Sequence, residues 1–285
     1  MDGPRTARRM WRLLEPVHAV TYFAPESVEA LKAVGLKGFW MAYFAGRSAP
    51  MGRVGAATVS ASFYNFAPFL VDRAIPDAWG FAEPAEVLGA RLAGVDLALR
   101  RLLGPLADGP EVAEAAELAW EASRSAVCDG RVLAAANQAL PRPDDPLLAL
   151  WQAATTLREH RGDGHLTSLV NAGLDGRQAH VTLVASGAIP RTTLQAARGW
   201  TDGEWAEAEE ALIERGWLDG DGAFTPTGSE ARATVEADTD RLAAGPWEAL
   251  GEAACDRLAA LARPLTLAIS GAIPFPNPIG LAPTE

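Results

Sequence analysis

Residues 198–232 have the sequence RGWTDGEWAEAEEALIERGWLDGDGAFTPTGSEAR, and the order of elements predicted within this stretch decides the fold. Thr201 is a favourable N-cap residue, and Glu204 three positions later completes a capping box. A helix is therefore predicted over residues 202–215. Asp219–Gly222 is predicted to form a tight turn between two short strands.

A short helix precedes this stretch at residues 192–199, and another is predicted after it at 229–242. Helix, helix, hairpin, helix is the order of a winged helix-turn-helix. Arg215–Leu218 resembles the helix end that leads into the wing of a MarR-type winged helix, and Phe224–Gly228 resembles the segment that opens the next helix. Together with the strings APMGRV, LREHRGDGHL and NPIGL, the stretch is similar to an actinobacterial family with a MarR-like domain. This resemblance covers nearly the whole chain and implies little about activity.

The first 185 residues are predicted to be helical. Apolar residues at helical spacing, with prolines at the starts and glycines near the ends, predict helices at 25–34, 39–45, 84–103 and 111–127. Residues 56–63 could be helix or strand, because Thr58 and Val59 favour strand while the alanines favour helix. We therefore expect a mainly α fold, with a helical domain at 1–185 packed on a winged-helix domain at 186–285 that carries a small β-hairpin wing.

The composition excludes several classes of protein. The chain has 285 residues and a net charge of -11, which argues against binding through neutralised phosphates or to an anionic lipid surface. It has two cysteines, too few for a disulfide scaffold or a four-cysteine zinc site. We see no signal-peptide pattern and no stretch of 18 apolar residues. We expect a cytoplasmic protein without a membrane span.

The predicted helix at 202–215 is poorly suited to reading DNA. It carries six acidic residues against one arginine, and the predicted wing tip at 219–222 is acidic as well. Acidic side chains facing a phosphate wall would repel it and release no counterions. DNA binding through this helix is therefore not expected, and the charged face is expected to be solvated.

The stretch Arg158–His165 is the densest group of polar residues in the chain. A helix capped at Asp144 or Asp145 is predicted to run to Arg161 and to end at Gly162. Asp163 is predicted to cap a second short helix, so RGDG would be a corner between two helices. His160 and His165 would then lie on either side of that corner.

This corner permits four interpretations. His160 and His165 could bind a divalent metal with Glu159 or Asp163, or one histidine could bind haem. Arg158 and Arg161 could bind an anionic group. A histidine oriented by Glu159 or Asp163 could act as a general acid or base. The fourth interpretation is a structural salt-bridge network.

Aromatic residues in the N-terminal half suggest the walls of a ligand pocket. Tyr43 and Arg47 are four residues apart on a predicted helix, so both could point into one apolar cavity. Further candidate ligand-binding residues are His18, Tyr64, Asn65 and Asn137. Aromatic stripes of this kind also form ordinary hydrophobic cores.

The leading hypothesis is a small-molecule-binding protein of bacterial secondary or accessory metabolism, with an enzyme of unassigned reaction class favoured. The alternative is a ligand-responsive MarR-like transcriptional regulator, which would need Arg191, Arg198 and Arg232 for phosphate contacts. A protein-interaction module that uses the acidic helix is a third hypothesis. The resemblance also implies that a homodimer could form.

Overall fold

The structure is a computed structural model, and it describes residues 1–281. Its α-helices are α1 (Gly3–Phe23), α2 (Pro25–Ala33), α3 (Gly38–Ser48), α4 (Ala56–Phe63), α5 (Pro68–Asp72), α6 (Pro84–Leu103), α7 (Pro110–Ser125), α8 (Val132–Gln138), α9 (Pro146–Asn171), α10 (Gly176–Ala185), α11 (Arg191–Arg198), α12 (Asp202–Glu214), α13 (Pro226–Leu242), α14 (Gly245–Leu250) and α15 (Glu252–Ser270). Short 3₁₀ turns lie at Ala49–Met51, Asp77–Gly80 and Gly104–Asp108. The prediction of a mainly α fold is confirmed.

Helix α9 lies at the centre of the molecule. Every residue from 149 to 157 is buried, so this part of the helix is covered on all sides. Helices α1, α7, α8 and α13 pack around it. Asp145 caps its N-terminus by accepting hydrogen bonds from the backbone N–H groups of Leu147 and Leu148. As the central helix, α9 can present polar side chains to several neighbours at once.

The first and last long helices share one hydrophobic core. Met10 and Leu14 of α1 pack in the same cluster as Trp151 of α9 and Leu258 and Leu261 of α15. Contacts between α1 and α15 therefore join the first and last of these helices. The proposed division at residue 185 stays a prediction.

The predicted β-hairpin wing is wrong. Residues 1–281 contain no β-strand, and the expected wing is a turn with a single isolated β-bridge between Leu218 and Phe224. Thr225 caps α13 and Pro226 occupies its first turn, so the helix begins three residues earlier than predicted. The second predicted strand would include residues 226–228. Because these residues belong to α13 instead, a single β-bridge is left where the wing was predicted.

The predicted corner between two helices is also wrong, because α9 continues without a break from Pro146 to Asn171. Gly164 lies where other elements approach closely. A Cβ built at this position would be 2.9 Å from Arg131 Nη1 and 3.2 Å from Leu242 Cβ. The glycine therefore allows close packing instead of ending the helix.

Helix α12 follows helix α11 after a short connection. Gly199 adopts the left-handed conformation, with φ at 78°, and ends α11. Trp205 and Leu212 of α12 are buried, while Glu207 and Glu210 are exposed. The acidic face of α12 is therefore exposed to solvent, as expected. No helix within residues 1–281 is both long enough and apolar enough to cross a membrane.

Candidate functional site

A buried group of ionisable and hydroxyl side chains lies where α1, α3 and α9 meet. We call this group the Glu159 network. Its members are Glu15, His18, Tyr22, Tyr43, Arg47, Arg158 and Glu159. Helix α1 presents three of them from one face, because positions 15, 18 and 22 are spaced at three and four residues.

Glu159 is the centre of the network, and its side chain is 1% exposed. Arg47 donates to both of its carboxylate oxygens, from Nε and from Nη2, each at 2.9 Å. Arg158 donates a third hydrogen bond at 2.8 Å. Arg158 also lies 3.4 Å from Glu15, which accepts a further hydrogen bond from Trp11 at 2.9 Å. A carboxylate with two arginine partners is a strong, geometrically fixed ion pair.

The two glutamates have opposite pKa shifts. Burial alone would raise the pKa of Glu159, but the charges of Arg158 and Arg47 outweigh burial and hold that pKa well below its usual range. Burial also acts on Glu15, where it prevails over Arg158 and raises the pKa. The network therefore contains one firmly ionised carboxylate and one that is more easily protonated.

His18 is held as a neutral imidazole with a defined tautomer. Its Nδ1 lies 2.9 Å from Thr155 Oγ1, and that hydroxyl donates its own proton to the Trp151 carbonyl. His18 must therefore donate from Nδ1, which leaves Nε2 to accept from the Tyr22 hydroxyl at 2.9 Å. Burial, and then the charge of Arg158, lowers the pKa of His18 well below its ordinary value.

Aromatic rings form the wall on the α3 side. The ring of Tyr43 lies 5.1 Å from that of Tyr22 and 5.5 Å from that of Phe66, measured between centroids. The guanidinium of Arg47 lies 4.2 Å above the Phe63 ring, a favourable cation–π distance. Arg47 Nη1 lies 3.5 Å from the Tyr43 hydroxyl, so the two side chains meet, and their place in one apolar ligand cavity stays a prediction.

Two clefts reach the network from different directions. One is a small cleft between α1, α9 and α14, and Glu15 and Arg158 are among the residues that line it. The other is a small cleft between α1, α2 and α3, and Tyr22 and Tyr43 are among the residues that line it. The Glu159 network therefore separates two solvent-accessible clefts, each with mostly apolar walls.

The other predicted residues of α9 point to different neighbours. His160 Nε2 lies 3.2 Å from the Val127 carbonyl oxygen, and Asp163 accepts from the backbone N–H of Ala134 at 2.9 Å. Arg161 lies 2.8 Å from Asp240, while His165 Nδ1 lies 2.9 Å from the Thr239 hydroxyl. Arg161 and His165 are four residues apart and both face α13. His160 and Asp163 face the segment around α8 instead, so the four side chains do not converge on one site.

The structure does not bring His160 and His165 together. Within residues 1–281, no group of three or more histidine, cysteine, aspartate or glutamate side chains is arranged to hold a metal ion. Burial, with a smaller effect from Arg131, lowers the pKa of His160 to about 4. His160 is therefore a neutral side chain at the edge of the first cleft, and both histidines remain predicted site residues only.

Tyr64, Asn65 and Asn137 lie outside the network. The Tyr64 hydroxyl donates to the Leu174 carbonyl, and the Asn65 carbonyl accepts from Trp200 Nε1 at 3.0 Å. Asn137 donates to the Leu133 carbonyl of its own helix at 2.9 Å. Tyr64 has φ at 54°, a strained value for a residue with a side chain.

Sequence reasoning missed Glu15 and Arg91. The spacing of Glu15, His18 and Tyr22 offered a signal, since three polar residues on one face of an apolar helix indicate a buried polar group. Arg91 gave no such signal, because an arginine within an amphipathic helix is usually exposed.

A family model described as a helix-turn-helix family matches residues 7–276, which is nearly the whole chain. Neither the curated proteins nor the solved structures contain a match.

Proposed function

We propose that this chain, which belongs to that helix-turn-helix family, is a small-molecule-binding protein whose ligand binds against the Glu159 network. The observation that carries the proposal is the position of the buried Glu159 network between two clefts whose walls are mostly apolar. A few convergent polar groups in an apolar cleft, with shifted pKa values among them, are typical of ligand sites.

Stability alone is a weak explanation for this network. Apolar side chains of similar volume usually stabilise a core as well as a buried ion pair does, or better. Here the interior also holds a neutral His18 whose Nε2 is fixed by Tyr22, and Tyr22 lines the second cleft. Such an arrangement can position a hydroxyl toward a ligand.

We propose further that α12 does not read DNA. Its exposed side chains include Asp202, Glu207, Glu210 and Glu214. The arginines that a regulator would use are engaged elsewhere: Arg191 with Asp202 and Glu209, Arg232 with Glu236, and Arg198 in the interior. In this proposal the helix-turn-helix serves as a scaffold, although the family match also fits a ligand-responsive regulator.

The DNA proposal is tested by electrophoresis of the protein with a mixed-sequence duplex at low salt. We expect no shifted band. A band that disappears as salt is added would show phosphate neutralisation and would favour the regulator.

The ligand proposal is tested by native mass spectrometry of protein purified without added ligand. The spectrum of the wild type is expected to contain a species heavier than the bare chain by one small molecule. The variants Tyr22→Phe and Tyr43→Phe each remove one hydroxyl of the network, and we expect them to lose most of the bound species.

Tyr64→Phe is the matched control, since Tyr64 is the third tyrosine of the chain and lies outside the network. It should retain the bound species. Wild-type protein without any bound molecule, or equal loss in all three variants, would contradict the proposed site. The assignments to secondary metabolism, to the cytoplasm and to a homodimer stay predictions.

A further inference from the structure

Residues 271–281, which follow α15, pack on the tyrosine side of the Glu159 network, and we call this segment the strap. Leu281 is 7% exposed and forms a small apolar cluster with Ala19 and Tyr22 of α1. Tyr43 of α3 packs against the same cluster. The strap therefore covers apolar surface that belongs to the two tyrosines.

Asn277, which is 3% exposed, ties the strap into a loop of its own. Its Nδ2 donates to the carbonyl oxygens of Pro274 and Leu281, at 3.1 and 2.8 Å. Its Oδ1 accepts from the backbone N–H groups of Ile279 and Leu281, at 3.2 and 3.1 Å. All four hydrogen bonds join residues of the strap, so they can persist when the loop moves as a unit.

Two contacts connect this loop with α11 and the residues just before it. Arg198, the last residue of α11, donates from Nη2 to the Pro278 carbonyl oxygen at 2.6 Å. Gly280 has φ at 73°, and a Cβ built there would lie 3.5 Å from Ile189 Cδ1. The strap therefore lies between the tyrosine pair and α11.

The strap is packed less firmly than the helices around it. Helices α1 and α9 share one large core with α15, and α3 contributes Phe44 and Ala45 to a second core. Both clefts beside the network are small, so one of the surrounding elements has to move before a ligand can reach the network. Segments with few buried apolar contacts open locally at a lower free energy than core helices do.

We infer that the strap is a gate over the Glu159 network, which opens as a loop to admit a ligand and which Arg198 holds closed. This inference rests on the proposed function, since it names the element that admits the ligand. Opening also removes a contact from the C-terminal end of α11, so access to the network and the surroundings of α11 change together.

The test measures whether the apolar cluster becomes accessible without unfolding of the whole chain. Ala19→Cys places a thiol against Leu281, where iodoacetamide can reach it when the strap is open. Cys255 is buried in the large core and reports global unfolding, and peptide mass spectrometry separates both sites from Cys128. We expect the introduced thiol to be labelled at least about tenfold faster than Cys255 in native buffer. Equal rates, or no labelling of the introduced thiol, would overturn the inference.

Two further substitutions, each combined with Ala19→Cys, identify what holds the gate closed. Arg198→Met removes the hydrogen bond to the Pro278 carbonyl, and labelling should become about tenfold faster because charged donors form strong hydrogen bonds. Leu281→Ala removes the buried apolar contact and should accelerate labelling about tenfold or more. Labelling of Cys255 should not accelerate in either case.

The chain offers a matched control for each of these substitutions. Arg191→Met changes an arginine of α11 whose partner is the exposed Asp202, and Phe275→Ala changes a strap residue that is 66% exposed. Both should leave the labelling rate unchanged. An unchanged rate in Arg198→Met would refute the role of Arg198 and with it the inference.

A second reporter guards against a folding defect of Ala19→Cys. Leu281→Cys places the thiol on the strap side of the same cluster, and it too should be labelled faster than Cys255. The labelling needs no ligand, so it is independent of the mass-spectrometric test. A bound species together with a strap that does not open refutes the gate alone, whereas an opening strap without any bound species refutes the proposed function.

Discussion

Two charge-dense segments of this chain have opposite environments. Residues 158–165 of α9 carry charges of both signs in the interior, and those of Arg158, Glu159, Arg161 and Asp163 are engaged by other helices. Residues 202–214 of α12 carry acidic charges at the surface. Charge density in a sequence therefore does not indicate whether a segment is buried.

The difference lies in the partners. A buried charge requires an opposite charge or several hydrogen-bond donors, whereas water solvates an exposed charge without help. The partner of Glu159 is Arg47, 112 positions away in sequence. Removing a charge should therefore have a large effect in α9 and almost none in α12.

The largest effect is expected for Glu159→Gln. The glutamine cannot neutralise Arg47, which would lose its anionic partner, and Arg158 would keep only Glu15. We expect the free energy of unfolding to fall by about 3–5 kcal/mol, measured by urea denaturation at neutral pH. A loss below about 1 kcal/mol would mean that the pair is not desolvated as the structure describes.

Asp163→Asn should change the pH dependence of stability. Burial raises the pKa of Asp163 to about 6, although the backbone N–H of Ala134 opposes the shift. The folded state therefore holds the proton more tightly than the unfolded state, whose aspartate titrates near pH 3.8. Wild-type stability contributed by this group is present below about pH 4 and is lost as pH rises through 6.

The asparagine side chain does not titrate, so the variant does not lose this part of its stability as the pH rises. It should gain on the order of 2 kcal/mol relative to the wild type between pH 4 and pH 7, measured by urea denaturation across the range. Asp129→Asn, at an exposed position, provides the control and should show a constant difference. A constant difference for Asp163→Asn as well would contradict the assigned shift.

Gly162→Ala should stabilise the protein, because α9 is continuous at this position. A Cβ there would lie 3.6 Å from Glu159 Oε2, an ordinary contact, and alanine favours a helix over glycine by up to about 1 kcal/mol. Gly164→Ala should instead destabilise, since its Cβ would lie 2.9 Å from Arg131 Nη1. Thermal melting of both variants is the measurement. Destabilisation by Gly162→Ala would support the predicted corner.

The smallest effect is expected for Glu210→Gln on the exposed face of α12. The free energy of unfolding should change by no more than about 0.5 kcal/mol in the same urea experiment. A change comparable with that of Glu159→Gln would remove the distinction between the two segments.

Local signals predicted much of the fold. The capping box of Thr201 with Glu204 forms as expected, and the helix predicted at 84–103 is α6. These features depend on residues three or four positions apart, which the sequence displays directly. The segment at 56–63, left open between helix and strand, is the helix α4.

Two local signals misled. Gly162 and Asp163 have the pattern of a helix end followed by an N-cap, but tertiary packing overrides it. Asp163 does accept a backbone N–H, though from α8 instead of its own helix. A local signal cannot reveal that a capping side chain serves an element 29 positions away.

The sequence by itself determined that the chain is mainly α, where most helices begin, and that the helix-turn-helix region presents acids. Those properties follow from side-chain periodicity and charge. Only the tertiary structure decided that Glu159 meets Arg47 and that His160 and His165 separate. It also decided that Arg91 and Arg198 are buried, with no salt bridge to either of them within residues 1–281. Such pairings depend on how helices distant in sequence pack around α9, and no spacing along the chain encodes that geometry.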